Sequence, residues 1–156
     1  KKYLVHTDND NDRNGSDPLN FDNNYRSIRY ADVLLMAAEA HANSNNSSQA
    51  ETYLNQVRTR AFGDNSQDYT SAEGSLSDAI LAERRLELAA EGHYFFDLVR
   101  TGKAKAAFDS YNSSYASGDA RPAIQYTENK NEFLPIPLVE LELANAIDRW
   151  GQNEGY

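Results

Sequence analysis

ILAERRLELAAEGHYFFDLVRTG, residues Ile80–Gly102, is the stretch on which the reading of the fold turns. Ala79, Ala82, Leu86 and Ala89 recur at three- and four-residue spacing, which predicts one helix face. Ile80, Leu81 and Leu88 fall beside that face and widen its apolar stripe, so more than one neighbour is expected to cover it. Gly92 is placed to end the helix, because glycine enters the left-handed conformation without a Cβ clash. A second helix is expected to restart at once through Tyr94, Phe95, Phe96, Leu98 and Val99. Two helices meeting at so short a corner mark a core.

The charges of the same stretch carry a second expectation. Glu83, Glu87 and Glu91 are spaced to stand along one side of a continuous helix. Each such like-charge pair costs about 0.2–0.5 kcal/mol on an isolated helix. Arg84 offsets Glu87 but not all three, so Arg58, Arg60 and Arg100 are expected to supply cationic partners. A carboxylate row also suits metal or acid–base chemistry; structural ion pairing is the simpler reading, since such networks perturb carboxylates too.

Working outward toward the N-terminus, Arg29–Asn43 reads as a helix that is apolar almost all round, which calls for burial on several sides. Asn43-Ser44-Asn45-Asn46 ends it with turn formers. Ser48-Gln49-Ala50-Glu51 has the form of a capping box and opens a second helix, closed by Gly63. Two helices across a short polar turn make an antiparallel hairpin. Leu34, Ala38, Ala50, Leu54 and Val57 stand at the offsets of a tetratricopeptide repeat, although any close helical hairpin needs similar spacing.

Residues 1–28 form a polar N-terminal loop segment ahead of a helical domain over 29–156. Within it Asp10-Asn11-Asp12-Arg13-Asn14-Gly15 matches the first half of a calcium loop, but Phe21 occupies the place of the bidentate glutamate. Asp8, Asp10, Asp12, Asn14 and Asp17 remain candidate calcium ligands, and no other cofactor is expected. The competing reading is a solvated turn, built from the same residue types.

Toward the C-terminus, residues 64–75 read as loop, and Ser75-Leu76-Ser77-Asp78 caps the organising helix. A short amphipathic piece, Lys103–Asp109, is expected to fade into a polar loop over Ser110–Arg121. Ala123–Tyr126 and Glu132–Leu134 are strand-like around the turn Asn129-Lys130-Asn131, which predicts a minor β-hairpin. Pro137 suits the start of a helix over Leu138–Ala144. The fold class expected is therefore all-α: tetratricopeptide-like hairpins, long loops and that minor β-hairpin.

Composition narrows the function. The 156 residues carry 15 basic and 24 acidic side chains, a net charge of −9, and the basic residues cluster no further than pairs, which argues against nucleic acid. The absence of cysteine removes thiol chemistry and disulfides. His6, His41 and His93 form no zinc-type pair, and no nucleophile elbow or phosphate loop occurs. His93 and Asp97 stand four apart on one helix face, but with Phe95 and Phe96 between them a capping histidine beside a core is the expected role. No catalytic residue is nominated. Tyr69, Tyr111, Tyr115 and Trp150 are the loop aromatics nominated for ligand contact, because such rings stack on sugars.

Five blocks taken in order resemble the SusD/RagB family. They are Arg29–Ala40 (RYADVLLMAAEA), Leu54–Ala61 (LNQVRTRA), Ile80–Gly102, Phe133–Leu141 (FLPIPLVEL) and Gln152–Tyr156 (QNEGY). Glu154 stands where the family has proline, and Ala90 where it usually has phenylalanine. The resemblance implies a surface-exposed outer-membrane lipoprotein that captures a glycan or oligosaccharide and pairs with a SusC-like TonB-dependent transporter. It covers the family's C-terminal portion, so attachment to the membrane would run through an N-terminal lipid anchor absent from this chain. No ligand residue carries over by motif. Two rivals stand beside this reading: a helical-repeat protein-interaction module without small-ligand binding, and a glycoside hydrolase using the acidic residues.

Overall fold

The computed structural model describes residues 27–114, 122–143 and 151–156, and the chain divides into two compact units, 1–77 and 78–156. The described residues are helical, with six α-helices, a short 3-10 turn and no strand.

In the first unit, α1 (Tyr30–Asn43) and α2 (Ser47–Phe62) form the expected hairpin. The five repeat-like positions are its core: Leu34 is 8% exposed, Ala38, Ala50 and Leu54 are fully buried, and Val57 is 1% exposed. Small Ala38 and Ala50 let the helices approach, while Leu35 and Leu54 fill the space between. The cap differs from expectation. Asn46 accepts from the Gln49 amide at 3.4 Å, so α2 begins at Ser47 and the Ser48–Glu51 box lies already inside the helix. Gly63 closes α2 in the left-handed conformation, its amide bonded to the Thr59 carbonyl at 2.8 Å. Nor is α1 covered on several sides. Tyr30, Val33 and Met36 are exposed, because α2 is the only element packed on α1 among the described residues.

The second unit contains α3 (Leu76–Glu87, beginning at the boundary), α4 (Tyr94–Arg100), α5 (Ala104–Ser113) and α6 (Leu138–Leu143). Two expectations for the organising helix are corrected. It ends at Glu87, a turn early, so Glu91 lies in the following bend and the three-carboxylate row is broken. Ala90 takes φ 64 and Gly92 φ 83 in that bend, and the alanine bears a Cβ strain that a glycine would not. The buried face is Ala79, Ile80, Glu83 and Arg84, whereas Ala82, Leu86 and Ala89 of the predicted stripe are exposed. The face turned inward thus carries two charged residues, Glu83 and Arg84.

Helix α5 runs to Ser113, so Tyr111 is helical where loop was expected. The minor β-hairpin does not form among the described residues, and the reason is visible. The Asn112 side-chain amide takes both backbone groups of Ile124, accepting from its N–H and donating to its carbonyl, each at 2.9 Å. Beyond the expected strands, Gln152 does the same for Ile136 at 2.7 and 2.8 Å. Extended backbone is thus satisfied by side chains instead of a ladder. The closing segment 151–156 is held mainly by these polar anchors. Tyr156 Oη donates to the Phe133 carbonyl at 3.2 Å, and the Lys130 ammonium lies 4.6 Å from the Tyr156 ring centroid.

Candidate functional site

With its apolar face turned to α1, α2 carries a polar stripe on the other side. Thr52, Asn55, Gln56, Thr59 and Arg60 recur at offsets of three and four and line, with Asp68, an open groove of about 560 Å³. The wall of the groove is the loop that follows Gly63, and it is pinned at several points. Arg58 Nη1 donates to both Glu73 oxygens, at 3.0 and 2.9 Å, and to the Gln67 carbonyl at 3.2 Å. The Tyr69 amide donates to Asn55 Oδ1 at 2.8 Å, and its hydroxyl donates to the Gly74 carbonyl at the same distance. Thr59 Oγ1 reaches Asp68 Oδ1 at 3.4 Å.

The far end of that loop turns through a 3-10 element, Ser71–Glu73, whose Glu73 carboxylate accepts from the Thr70 amide at 3.0 Å. This bond, and then Arg58, hold the Glu73 carboxyl below its ordinary range against the opposing effect of burial. Thr70-Ser71-Ala72-Glu73 is thus a capping box within a stretch that was expected to be loop. The groove itself was not nominated. Its signal would have been the polar positions of α2 taken as a stripe in their own right.

Chemically the lining offers two amides and two hydroxyls, each able to donate and accept, beside one guanidinium and one carboxylate. Hydroxyl-rich ligands match that mixture. Of the six lining residues Asp68 alone is a carboxylate, whereas glycoside hydrolysis uses a pair.

Among the nominated aromatics, Tyr69 stands next to Asp68 of the groove wall, half-buried and engaged through its hydroxyl. Tyr111 belongs to the other unit, 39% exposed on α5. Tyr115 and Trp150 lie outside the described residues, as do the calcium candidates Asp8, Asp10, Asp12, Asn14 and Asp17.

The second unit concentrates charge around Asp97, whose side chain is 4% exposed. Arg84 Nε donates to Asp97 Oδ2 at 2.9 Å, and Arg100 donates to Oδ1 through Nε at 3.0 Å and Nη2 at 2.8 Å. Arg100 is thus engaged with Asp97, and Arg58 with Glu73. Asp97 is an arginine acceptor where a metal ligand had been weighed, and His93 occupies the N-cap position of α4 without a side-chain cap bond. Nearby, Phe95, Phe108 and Tyr126 form a chain of rings with centroids 6.3 and 5.1 Å apart. Desolvation first, and then the bond to Glu132, push the Tyr126 phenol up to about 12. A smaller cleft of about 370 Å³ has Leu81, Leu98 and Ala107 in its lining, with Arg85 held 5.1 Å from the Tyr94 ring centroid.

A family model described as the SusD family matches residues 1–156. The chain is 35% identical over 125 residues to SusD-like protein P2 of Formosa agariphila, which covers 76% of this chain and 23% of that protein. It is 30% identical over 148 residues to SusD-like protein P25 of the same organism, covering 93% and 27%. A third relative there, SusD-like protein P38, is 40% identical over 90 residues, covering 53% and 18%. The chain therefore spans about a quarter of the length of the first two relatives. No solved structure matches it.

Proposed function

The chain belongs to the SusD family, and on that premise we propose that it is part of a nutrient-binding component of an outer-membrane uptake system, with a glycan as the nutrient. The single observation that carries this reading is the family match across residues 1–156. The amide and hydroxyl side chains in the lining of the α2 groove support it, since they can bond to ligand hydroxyl groups. The proposal extends to a SusC-like TonB-dependent transporter as partner and to the cell surface as the place of action, through a lipid anchor. Among the described residues no helix is long and apolar enough to cross a membrane. Calcium at Asp8, Asp10, Asp12, Asn14 and Asp17 is retained as a proposal on the sequence pattern alone.

Affinity electrophoresis through gels containing soluble polysaccharides tests ligand binding, and co-purification with a tagged SusC-like transporter tests the partnership. Retardation by at least one polysaccharide, together with recovery of the transporter, is expected. Migration unchanged in every gel and no transporter recovered would overturn the reading. A second reading, a helical protein-interaction module, draws on the exposed apolar Tyr30, Val33 and Met36 of α1. It predicts recovery of a protein partner with no retardation in any gel.

A further inference from the structure

We infer that the cleft between α3, α4 and α5 is a binding site for a small amphipathic monocarboxylate, an apolar body with one carboxylate at its end. All of its lining residues belong to the second unit. One face of α3 supplies Asp78, Leu81, Ala82 and Arg85, which recur at offsets of three and four. Leu98 of α4, 5% exposed, and Ala106 and Ala107 of α5 complete the apolar part. Ala82 and Ala106 are exposed and reach no further than a methyl group, so the space between the helices stays open. Its volume of about 370 Å³ falls in the range of small-ligand sites.

The two ends of the cleft differ, and the difference gives the ligand its direction. Asp78 and Arg85 stand about 10 Å apart along α3 at the helical rise. At the Asp78 end the Lys103 ammonium is already paired with the Asp78 carboxylate, so a ligand charge brought there would have to displace an existing partner. At the Arg85 end the guanidinium lies 5.1 Å from the Tyr94 ring centroid. Among the described residues, neither the Arg85 side chain nor the Tyr94 hydroxyl makes a hydrogen bond or an ion pair. A ring contact steadies the guanidinium without neutralising it. Its fork of N–H donors matches a carboxylate in two-point fashion, and the Tyr94 hydroxyl is a further donor in the same lining.

Charge limits the ligand to a single anion. The chain carries −9, so every added negative charge approaches against the field. Salt screens that field over about 8 Å at physiological ionic strength, which leaves the short-range pair with Arg85 to decide a monoanion. The apolar lining supplies the remainder of the attraction by removing the ligand body from water.

Calorimetric titration of the full 156-residue chain with octanoate, octan-1-ol, acetate and octyl phosphate tests this, repeated on Arg85→Gln and Ala82→Phe. Octanoate should bind about fivefold more tightly than octan-1-ol, the upper end for an ion pair at an exposed arginine. Arg85→Gln should erase that preference while octan-1-ol binds as before. Ala82→Phe fills the cleft and should abolish binding of both. Residues 82 and 85 are exposed, so both variants should melt near the parent temperature. If Ala82→Phe folds poorly, Ala106→Leu blocks the same space from α5. Octan-1-ol bound as tightly as octanoate overturns the carboxylate, and acetate bound as tightly as octanoate overturns the apolar body. Octyl phosphate bound more tightly than octanoate overturns the single charge. No binding of octanoate, or binding that Arg85→Gln and the cleft-filling variant leave unchanged, overturns the site itself.

Discussion

The hairpin of the first unit and the corner of the second are both helical, yet opposite materials hold them. Between α1 and α2 the buried residues are mainly apolar, Leu34, Leu35, Ala38, Ala50, Leu54 and Val57, with Asp32 the one buried charge among them. In the corner after α3, the buried set includes Glu83, Arg84, Glu91 and Asp97 beside Leu88 and Leu98. An apolar contact tolerates imperfect direction, because dispersion and water exclusion are not directional. A buried charge does not, since it must meet a partner of opposite sign at bonding distance. The hairpin should therefore yield gradually to mutation, and the corner abruptly.

The sharpest test is Asp97→Ala. Its carboxylate is 4% exposed and takes bonds from Arg84 and Arg100, so removal takes a charged acceptor away from a guanidinium that is itself only 5% exposed. Breaking a buried pair in this way costs about 3–5 kcal/mol, and chemical denaturation should show a loss in that range. Arg100→Ala should cost much less, because Arg100 is 42% exposed and water replaces its role. Equal losses for the two would contradict the claim that burial decides the matter here.

Leu54→Ala probes the other side of the comparison. The residue is fully buried, and leucine truncation at such a site costs about 2–5 kcal/mol, depending on how far the hairpin collapses into the space. Leu54→Met should cost under about 1.5 kcal/mol, since volume is nearly conserved. That graded pair of values is the signature expected of the apolar unit. At the corner, replacing Asp97 by its isostere asparagine should remain expensive despite the conserved volume.

The closing segment belongs to neither style, and Gly155 is its most exacting position. It takes φ 86, and an added Cβ would lie 2.9 Å from Lys130 Cδ. Gly155→Ala should cost about 1–2 kcal/mol from the left-handed backbone alone. Lys130 must also shift, which disturbs its approach to the Tyr156 ring. The expected readout is local: faster hydrogen exchange over 152–156 with the α1–α2 hairpin unaffected.

What could be read from the residues divides along the same line. Leu34, Ala38, Ala50, Leu54 and Val57 were legible because helical period and residue size determine how two helices meet. The ends of α2 were half legible. Gly63 announced itself, while Asn46 displaced Ser48 as the cap because an amide oxygen two residues earlier already reaches the Gln49 amide. In α3 the apolar stripe misled, since the demand of Asp97 for Arg84 turned a different face inward. The β-hairpin was expected from two strand-like runs around a turn, which cannot foresee that Asn112 will satisfy Ile124 from a distance in sequence. The groove was missed for a related reason. A polar stripe reads as a solvated face until a loop is seen to stand against it.

That loop supplies the smallest effect and the finest discrimination. Arg58 is 11% exposed and Glu73 37%, so Arg58→Ala should cost only about 1 kcal/mol, read as faster exchange of the Tyr69 and Thr70 amides. The Glu73 pKa is lowered from an ordinary value of 4.5, so its ionised form is favoured by the folded loop. The contribution is therefore fully present above pH 4.5 and is lost as pH falls through that value toward the lower folded one. The Thr70 amide is the larger cause and Arg58 a lesser one, which makes the two variants behave differently. Arg58→Ala should retain most of the acid sensitivity of the loop, whereas Glu73→Gln should remove it while leaving a weakened contact at neutral pH. If Arg58→Ala erased the acid sensitivity completely, the wall of the groove would be held by its ion pair and not by its own turn.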